Sequence, residues 1–285
     1  MKIPPWLRLL RPQQWIKNAF VFAPLFFAHR FLDVHSWILS SLAALGFLCI
    51  SCVVYIVNDV RDASEDRLHP VKKNRPLASG EMPLWHAGAM AVVISAAGGI
   101  ILAFLPRACL ATAAVYVGLN LGYTLWWKQF ALIDIFFVAS CYVLRVLMGC
   151  YALQVVISPW IILTTFLLAL FLGFGKRYHE LGFEEYARKK LNLQHYNRNL
   201  LDRLMTICGG AALITYAIYT AEIVRTTGKV ELTYTTAFVA FGLFRYLQSI
   251  YVYHQGGEPE AIIFKDKLQL ANVVAWLAVT MWILF

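Results

Sequence analysis

Residues Leu42–Asp66 read LAALGFLCISCVVYIVNDVRDASED, in which an apolar run passes directly into an acidic segment. No proline or glycine lies near the junction, so we predict one continuous helix across it. At about 100° per residue, Asp59, Asp62 and Asp66 fall within roughly 60° of arc on one face of that helix. The stretch therefore predicts a membrane-spanning helix that ends in three carboxylates.

The rest of the chain repeats the pattern of apolar blocks separated by charged or Pro/Gly-rich segments. Of 285 residues, 60% are hydrophobic and 14% are charged, which is too apolar for a soluble domain of this length. Each block covers about 17–25 residues, the length that a helix needs to cross roughly 30 Å of hydrocarbon. We predict an all-α polytopic membrane protein with a single domain over residues 1–285. Its nine predicted transmembrane helices are Trp15–Phe31, Trp37–Val57, Leu84–Leu105, Ala108–Trp127, Leu132–Leu153, Pro159–Gly175, Leu204–Val224, Leu232–Tyr253 and Leu268–Phe285.

The basic residues outside these blocks indicate the orientation. With the N-terminus in the cytoplasm, that side collects 19 of the 25 Lys and Arg residues, as expected because cationic loops stay cytoplasmic. We predict a bacterial inner-membrane protein whose active site faces the cytoplasm, where the longest polar loops lie. The net charge of +9 does not predict a nucleic-acid partner, since no separate soluble basic domain is present.

Three carboxylates on one helix face repel one another unless a cation neutralises them. Hard oxygen ligands at the mouth of an open cavity suit Mg²⁺ shared with substrate phosphates, so we predict Asp59, Asp62 and Asp66 as metal ligands and catalytic residues. The alternative is a solvated acidic helix end. Its carboxylates would pair with nearby basic residues, namely Arg61, Arg67, Lys72 or Lys73.

Basic residues follow the acidic segment. Lys72 and Arg75 are candidates for binding phosphate oxygens, the arginine as a bidentate fork and the lysine as a point charge. Retention of cationic loops in the cytoplasm explains the same residues without any ligand.

The N-terminal residues Met1–Arg11 mix Trp and Leu with Lys and Arg. They predict either a short helix that lies in the membrane interface or a plain basic flank of the first span.

Polar residues also occur within and beside later spans. Tyr123 and Lys128 lie near the end of the fourth block, and Asp134 and Arg145 lie in the fifth. Because Asp134 and Arg145 are close to three turns apart, they share a helix face about 16 Å apart. A charge as deep as Arg145 normally faces the bundle interior, which makes it a candidate for a polar pocket. The alternative is a salt bridge between helices with a purely structural role.

A third basic cluster, Lys176 and Arg177, stands at the exit of the sixth block, close to Glu180. The two cations either point into the cytoplasmic mouth as anion ligands or pair with Glu180 at helical spacing.

The acidic segment resembles the UbiA superfamily of intramembrane prenyltransferases. Its first aspartate motif, N-D-x-x-D-x-x-x-D, is matched in full by Asn58, Asp59, Asp62 and Asp66. Typical members carry a second aspartate motif after the sixth span, and no D-x-x-x-D occurs in Lys176–Asp202. The basic pair in its place is similar to the decaprenyl-phosphate phosphoribosyltransferase branch of the superfamily.

The resemblance implies a UbiA-like bundle with a polar cavity open to the cytoplasm. It also implies Mg²⁺ as cofactor, 5-phosphoribosyl diphosphate (PRPP) as donor, a polyprenyl phosphate as acceptor, and a homo-oligomer such as a trimer. The donor contacts that it implies come from Lys17, Asn58, Lys72, Arg75, Tyr123, Lys128, Lys176 and Arg177.

Two other functions compete with this one. An ordinary UbiA-type prenyltransferase would move a prenyl group from a prenyl diphosphate to an aromatic acceptor, but the second aspartate motif is missing. A lipid transporter or scaffold would use the intramembrane Arg145 and Arg245 along its pathway.

Overall fold

Every regular element in the described part of the chain is helical. The computed structural model describes residues 4–67, 72–183, 191–257, 262 and 265–285. The α-helices are α1 (Pro5–Leu9), α2 (Ala23–Phe27), α3 (Val34–Asp66), α4 (Leu84–Ala103), α5 (Arg107–Leu125), α6 (Ile133–Leu153), α7 (Pro159–Glu180), α8 (Arg198–Thr227), α9 (Thr236–Tyr251) and α10 (Lys267–Leu284). Short 3₁₀ helices cover Pro12–Phe22, Lys72–Asn74, Trp127–Gln129, Leu191–His195 and Val230–Thr235.

Within the described residues, seven helices are long and apolar enough to cross a membrane, namely α3 to α8 and α10. The first predicted span, Trp15–Phe31, is instead a 3₁₀ helix followed by the short α2. The eighth, Leu232–Tyr253, combines a 3₁₀ turn with the 16-residue α9. The all-helical, multi-pass class is thus confirmed, and nine crossings stays a prediction.

The length of α3 places its acidic end. Its 33 residues extend about 50 Å at 1.5 Å per residue, which exceeds the roughly 30 Å of hydrocarbon in a bilayer. The helix begins at an N-cap, Asp33, whose Oδ1 accepts a hydrogen bond from the backbone N–H of His35 at 3.0 Å. The apolar part can therefore cross the membrane while the carboxylates lie beyond it.

The chain divides into two compact units. The first comprises Met1–Thr124 with Leu144–Val156, and the second comprises Leu125–Val143 with Ile157–Phe285. Each unit is built on a pair of long helices, α3 with α4 in the first and α7 with α8 in the second.

Close helix packing in the first unit depends on small residues. A Cβ added at Gly98 of α4 would lie 2.8 Å from the Cβ of Cys49 on α3. Another contact ties the 3₁₀ segment Pro12–Phe22 to α6, because a Cβ at Gly149 would lie only 2.0 Å from the carbonyl oxygen of Val21. This segment is therefore held against a long helix although it is not an α-helix itself.

The contact at Gly149 predicts the effect of one added methyl group. Gly149→Ala forces the 3₁₀ segment away from α6, and we expect a loss of about 1–3 kcal/mol of stability. Gly118→Ala is the matched control, because a Cβ at this exposed glycine of α5 meets nothing within 4 Å. Its higher helix propensity should raise stability slightly, by about 0.5–1 kcal/mol. Thermal unfolding in detergent compares the two, and equal melting temperatures would contradict the close contact.

Candidate functional site

The acidic end of α3 gathers two buried carboxylates around one guanidinium. The helix continues through Asp66, as the sequence predicts. Asp59 and Asp66 are only 2% and 3% exposed. Arg75 Nη1 donates to Asp59 Oδ1 at 3.0 Å and to Asp66 Oδ2 at 2.6 Å. Asp59 and Asp66 carry like charges about two turns apart on α3, and both are stabilised by the positive charge of Arg75.

A second cation reaches Asp59 from the N-terminal segment. Arg11 Nη2 donates to Asp59 Oδ1, and its guanidinium lies 5.4 Å from the ring centre of Tyr55. The backbone of Arg11 is left-handed, with φ 51° and ψ 65°, which turns the chain between α1 and the following 3₁₀ helix. Sequence reasoning missed this contact, because no local pattern joins residues 48 positions apart.

Two arginines that pair with the carboxylates, Arg11 and Arg75, are not among those expected for a solvated helix end. Arg61 and Arg67 are exposed, and Lys73 is exposed as well. The side chain of Lys72 lies outside the described residues. Asp62 is half-buried on the same helix, between the two carboxylates that Arg75 joins. Arg11 and Arg75 are therefore two basic partners of this face that the alternative of a solvated helix end did not include.

The carboxylate oxygen atoms of Asp59 and Asp66 are suitable ligands for a divalent cation. Within the described residues, no three His, Cys, Asp or Glu side chains lie close enough together to hold a metal ion. Asp59 and Asp66 nevertheless bring two hard oxygen atoms to one cationic nitrogen. Carboxylate oxygens are the ligands that Mg²⁺ prefers, usually together with water and substrate phosphates. Roles for Asp59, Asp62 and Asp66 as metal ligands stay a prediction.

Other predicted residues of the first unit lie on α3, on α5 and on the 3₁₀ helix Pro12–Phe22. Asn58 Oδ1 accepts a hydrogen bond at 2.7 Å from the hydroxyl of Thr124, which fixes the end of α5 to α3. Tyr123, the preceding residue on α5, is half-buried, and so is Lys17. The structure therefore places Asn58 and Tyr123 on two helices that are hydrogen-bonded to each other.

Arg145 is buried in the first unit and is engaged by protein groups. It is 2% exposed, and its Nε donates to Asn18 Oδ1 at 3.1 Å. Its guanidinium also lies 5.4 Å from the ring centre of Phe47 and 5.3 Å from that of Tyr116. These contacts hold the 3₁₀ segment that carries Lys17 against α6, and a role for Arg145 in substrate binding stays a prediction.

In the second unit, Asp134 is the centre of a buried hydrogen-bond network. Its side chain is fully buried. Asp134 Oδ2 accepts from Arg177 Nε at 3.1 Å, from Arg177 Nη2 at 2.7 Å and from Asn192 Nδ2 at 2.7 Å. Asp134 Oδ1 accepts from the Tyr196 hydroxyl at 3.2 Å. This aspartate therefore ties α6, α7 and the segment before α8 together.

The two basic residues at the end of α7, Lys176 and Arg177, have different environments. Arg177 is buried and also donates to Glu180 at 2.5 Å, so the predicted pairing at helical spacing is present. Lys176 is exposed, and Lys128, also in this unit, is half-buried. Of the predicted pair of anion ligands, only Lys176 points to solvent.

Asn192 and Tyr196 are network residues that the sequence did not predict. Burial, and then the charge of Asp134, raise the pKa of the Tyr196 hydroxyl. The hydroxyl therefore stays protonated and can donate to Asp134 while it accepts from the backbone N–H of Leu132 at 2.6 Å.

Arg245 has a partner that the sequence did not assign. Its Nε donates at 2.6 Å to Asp266, the residue that caps the N-terminus of α10 through the backbone N–H groups of Leu268 and Gln269. The hydrogen bond from Arg245 lowers the pKa of the Asp266 carboxyl. The ion pair with Asp266, which caps α10, accounts for the charge of Arg245 without a transport pathway.

Comparisons with known proteins agree over nearly the whole chain. The model of the UbiA prenyltransferase family matches residues 19–273. The decaprenyl-phosphate phosphoribosyltransferase of Corynebacterium glutamicum is 32% identical and covers 95% of this chain and 83% of its own length. The protein of that name from Mycolicibacterium smegmatis is 30% identical over 95% of this chain and 89% of its own. A solved UbiA homologue from Archaeoglobus fulgidus, bound to GPP and Mg²⁺, is 16% identical with a TM-score of 0.75 over 99% of each chain.

The network around Asp134 predicts a large loss of stability when its charge is removed. Asp134→Asn leaves Arg177 buried without its main counter-charge, which typically costs about 3–5 kcal/mol. Asp202→Asn makes the same chemical change at an exposed residue of α8 and should cost less than about 1 kcal/mol. Melting temperatures in detergent measure both changes. Similar values for the two variants would show that the Arg177 contact contributes little.

Proposed function

Because the chain belongs to the UbiA prenyltransferase family, we propose that it is a polyprenyl-phosphate phosphoribosyltransferase. It transfers the 5-phosphoribosyl group of PRPP to a polyprenyl phosphate such as decaprenyl phosphate and releases pyrophosphate. The observation that carries this proposal is the 30–32% identity, over 95% of the chain, to curated enzymes of that activity. The complete motif of Asn58, Asp59, Asp62 and Asp66, together with Lys176 and Arg177 at the end of α7 where a second aspartate motif is expected, supports the same substrate pair.

The charges of the two substrates explain why basic residues are needed. PRPP carries a 5-phosphate besides its diphosphate, and the acceptor brings a lipid phosphate, so more anionic groups meet here than in prenyl transfer. Arg11 and Arg75 are 22% and 26% exposed at their side chains, which leaves them accessible to phosphate oxygens. Half-buried Lys17, on the 3₁₀ helix of the same unit, adds a point charge for the same purpose, and Lys128 and Lys176 of the second unit stay predicted donor contacts.

The reaction needs no nucleophile from the protein. Asp59, Asp62 and Asp66 would hold Mg²⁺, which when bound neutralises charge on the diphosphate leaving group. A lipid phosphate oxygen forms the new bond to ribose C1 as the bond from C1 to the diphosphate oxygen breaks, and pyrophosphate departs. Arg75 and Arg11 lie beside the same carboxylates, so they can stabilise the charge that develops on the leaving group.

The proposal also covers the setting of the enzyme. Nine membrane crossings are compatible with the helix lengths, because the 3₁₀ helix Pro12–Phe22 and α2 together extend about 30 Å. We further propose a cytoplasmic N-terminus, a polar cavity open to the cytoplasm, residence in a bacterial inner membrane, and a homo-oligomer such as a trimer. The distribution of Lys and Arg supports the orientation.

The activity can be tested directly with purified protein. PRPP labelled in the ribose is incubated with Mg²⁺ and polyprenyl phosphate, and we expect a labelled lipid and one pyrophosphate per turnover. Chelation with EDTA should abolish the reaction, and added Mg²⁺ should restore it. Reaction of a prenyl diphosphate with an aromatic acceptor, in the absence of any labelled phosphoribosyl lipid, would establish an ordinary prenyltransferase instead. Binding of lipid without any turnover would favour a transporter or scaffold.

Substitution at the acidic face tests the role of the carboxylates. Asp59→Asn removes a ligand charge and should lower kcat by about 10²-fold or more. Folding should survive, because the partners Arg11 and Arg75 both reach solvent. Glu65→Gln is the matched control, an exposed acidic residue on another face of the same helix end, and should leave activity within about twofold. Equal losses in both variants would argue against a specific role for Asp59.

A further inference from the structure

The N-terminal helix α1 packs against the segment that carries Arg75. Leu9 is fully buried and forms one apolar cluster with three other residues. They are Ile56 of α3, Leu77 from the segment before α4, and Ala87 of α4. A helix of five residues is not stable by itself in water, so these contacts hold it in place. Helix α1 is therefore packed into the fold and is not a plain basic flank, while its position in the membrane interface stays a prediction.

Polar contacts extend this packing to both ends of residues 72–82, here called the arginine loop. Arg8 Nη1 donates to the carbonyl oxygen of Asn74 at 3.3 Å, and Arg8 Nη2 pairs with Glu81. The arginine loop also closes on itself, because the backbone N–H of Ser79 donates to the carbonyl of Arg75 at 2.8 Å. Arg8 thus spans the loop on either side of Arg75.

The residues that follow α1 are fixed in the same way. The carbonyl of Leu10 accepts from Trp15 Nε1 at 2.9 Å and is 3.7 Å from Cys52 Sγ on α3. These contacts frame the left-handed turn at Arg11, whose guanidinium reaches Asp59. One short segment, Pro5–Arg11, therefore determines where both cations of the acidic face lie.

We propose that α1 is a positioning element for the phosphoribosyl donor, with Leu9 and the Arg8–Glu81 pair as its positioning residues. It holds the arginine loop so that Arg75 stays within reach of Asp59, Asp66 and the donor phosphates. This inference rests on the proposed function for the identity of the donor. The placement of Arg75 by α1 follows from contacts within the first unit alone.

The two anchors differ in expected strength. The side chains of Arg8 and Glu81 are 32% and 44% exposed, and ion pairs at such sites contribute little, so each charge reversal should change donor affinity by only about threefold. Leu9 is fully buried, and Leu9→Ala removes the contact with Leu77 as well. Its effect on the donor KM should be larger, about tenfold.

A charge-swap series tests the proposal. Arg8→Glu, Glu81→Arg and the double variant are compared with wild type and with Arg107→Glu, the matched control at an exposed arginine of α5. The first readout is KM and kcat for PRPP. We expect each single variant to raise KM while kcat changes less than about twofold. The double variant should recover part of the loss, because a glutamate at position 8 can pair with an arginine at position 81 but cannot donate to the carbonyl of Asn74. Arg107→Glu should behave as wild type.

The second readout does not depend on activity. Hydrogen exchange followed by mass spectrometry measures the amides of the arginine loop, including Ser79 and Met82, which donate to backbone carbonyls within it. Exchange should be faster in each single variant and in Leu9→Ala, and it should be slower in the double variant than in either single variant. If Leu9→Ala fails to fold, the charge-swap series still decides.

Three results would overturn the inference. They are unchanged exchange in the single variants, no recovery in the double variant, and a kcat loss without any change in KM. If the wild-type protein forms no labelled lipid from PRPP, the proposed function fails and the donor-positioning claim fails with it. The exchange data would then still show whether α1 fixes the arginine loop.

Discussion

Two acidic side chains that lie close together inside a protein must share positive charge, and the first unit is arranged around that constraint. Asp59 and Asp66 are buried on one face of α3, and Arg75 contacts both. This requirement explains why the arginine loop lies against α3, and why a left-handed turn at Arg11 is tolerated where the guanidinium meets Asp59. The N-terminal segment and the arginine loop converge on the acidic helix end and stabilise it.

The sequence was sufficient where a feature is local. The helix continues without a break through Asp66, and Asp59 and Asp66 lie on one face of it. Both features depend on residue spacing along one helix, which the sequence pattern predicts. The partners were not predictable, since Arg11 and the network of Asn192 and Tyr196 join Asp residues across dozens of positions. Over Trp15–Phe31 the structure has a 3₁₀ helix followed by α2, a distinction that apolar composition does not reveal, and a membrane crossing there stays a prediction.

Neighbouring basic residues serve different purposes because consecutive side chains on a helix point about 100° apart. Arg177 is 7% exposed and is committed to Asp134, whereas Lys176 next to it is exposed. The replacement of a second aspartate motif by a basic pair is therefore not a simple exchange of metal ligands for two phosphate ligands. One cation stabilises the end of α7 against α6, and this anchoring allows the other to be presented at a defined position.

Rigid placement of cations matters more for this chemistry than their number. A flexible lysine or arginine must lose conformational freedom when it binds a phosphate, and that loss weakens binding. Here the 3₁₀ segment with Lys17 is held at its beginning by the Arg11 contact with Asp59 and near its end by Asn18 with Arg145 and by Val21 against Gly149. The ordering is thus completed during folding. Under the proposed function, Arg145 contributes to catalysis by fixing the segment that carries Lys17, a predicted donor contact.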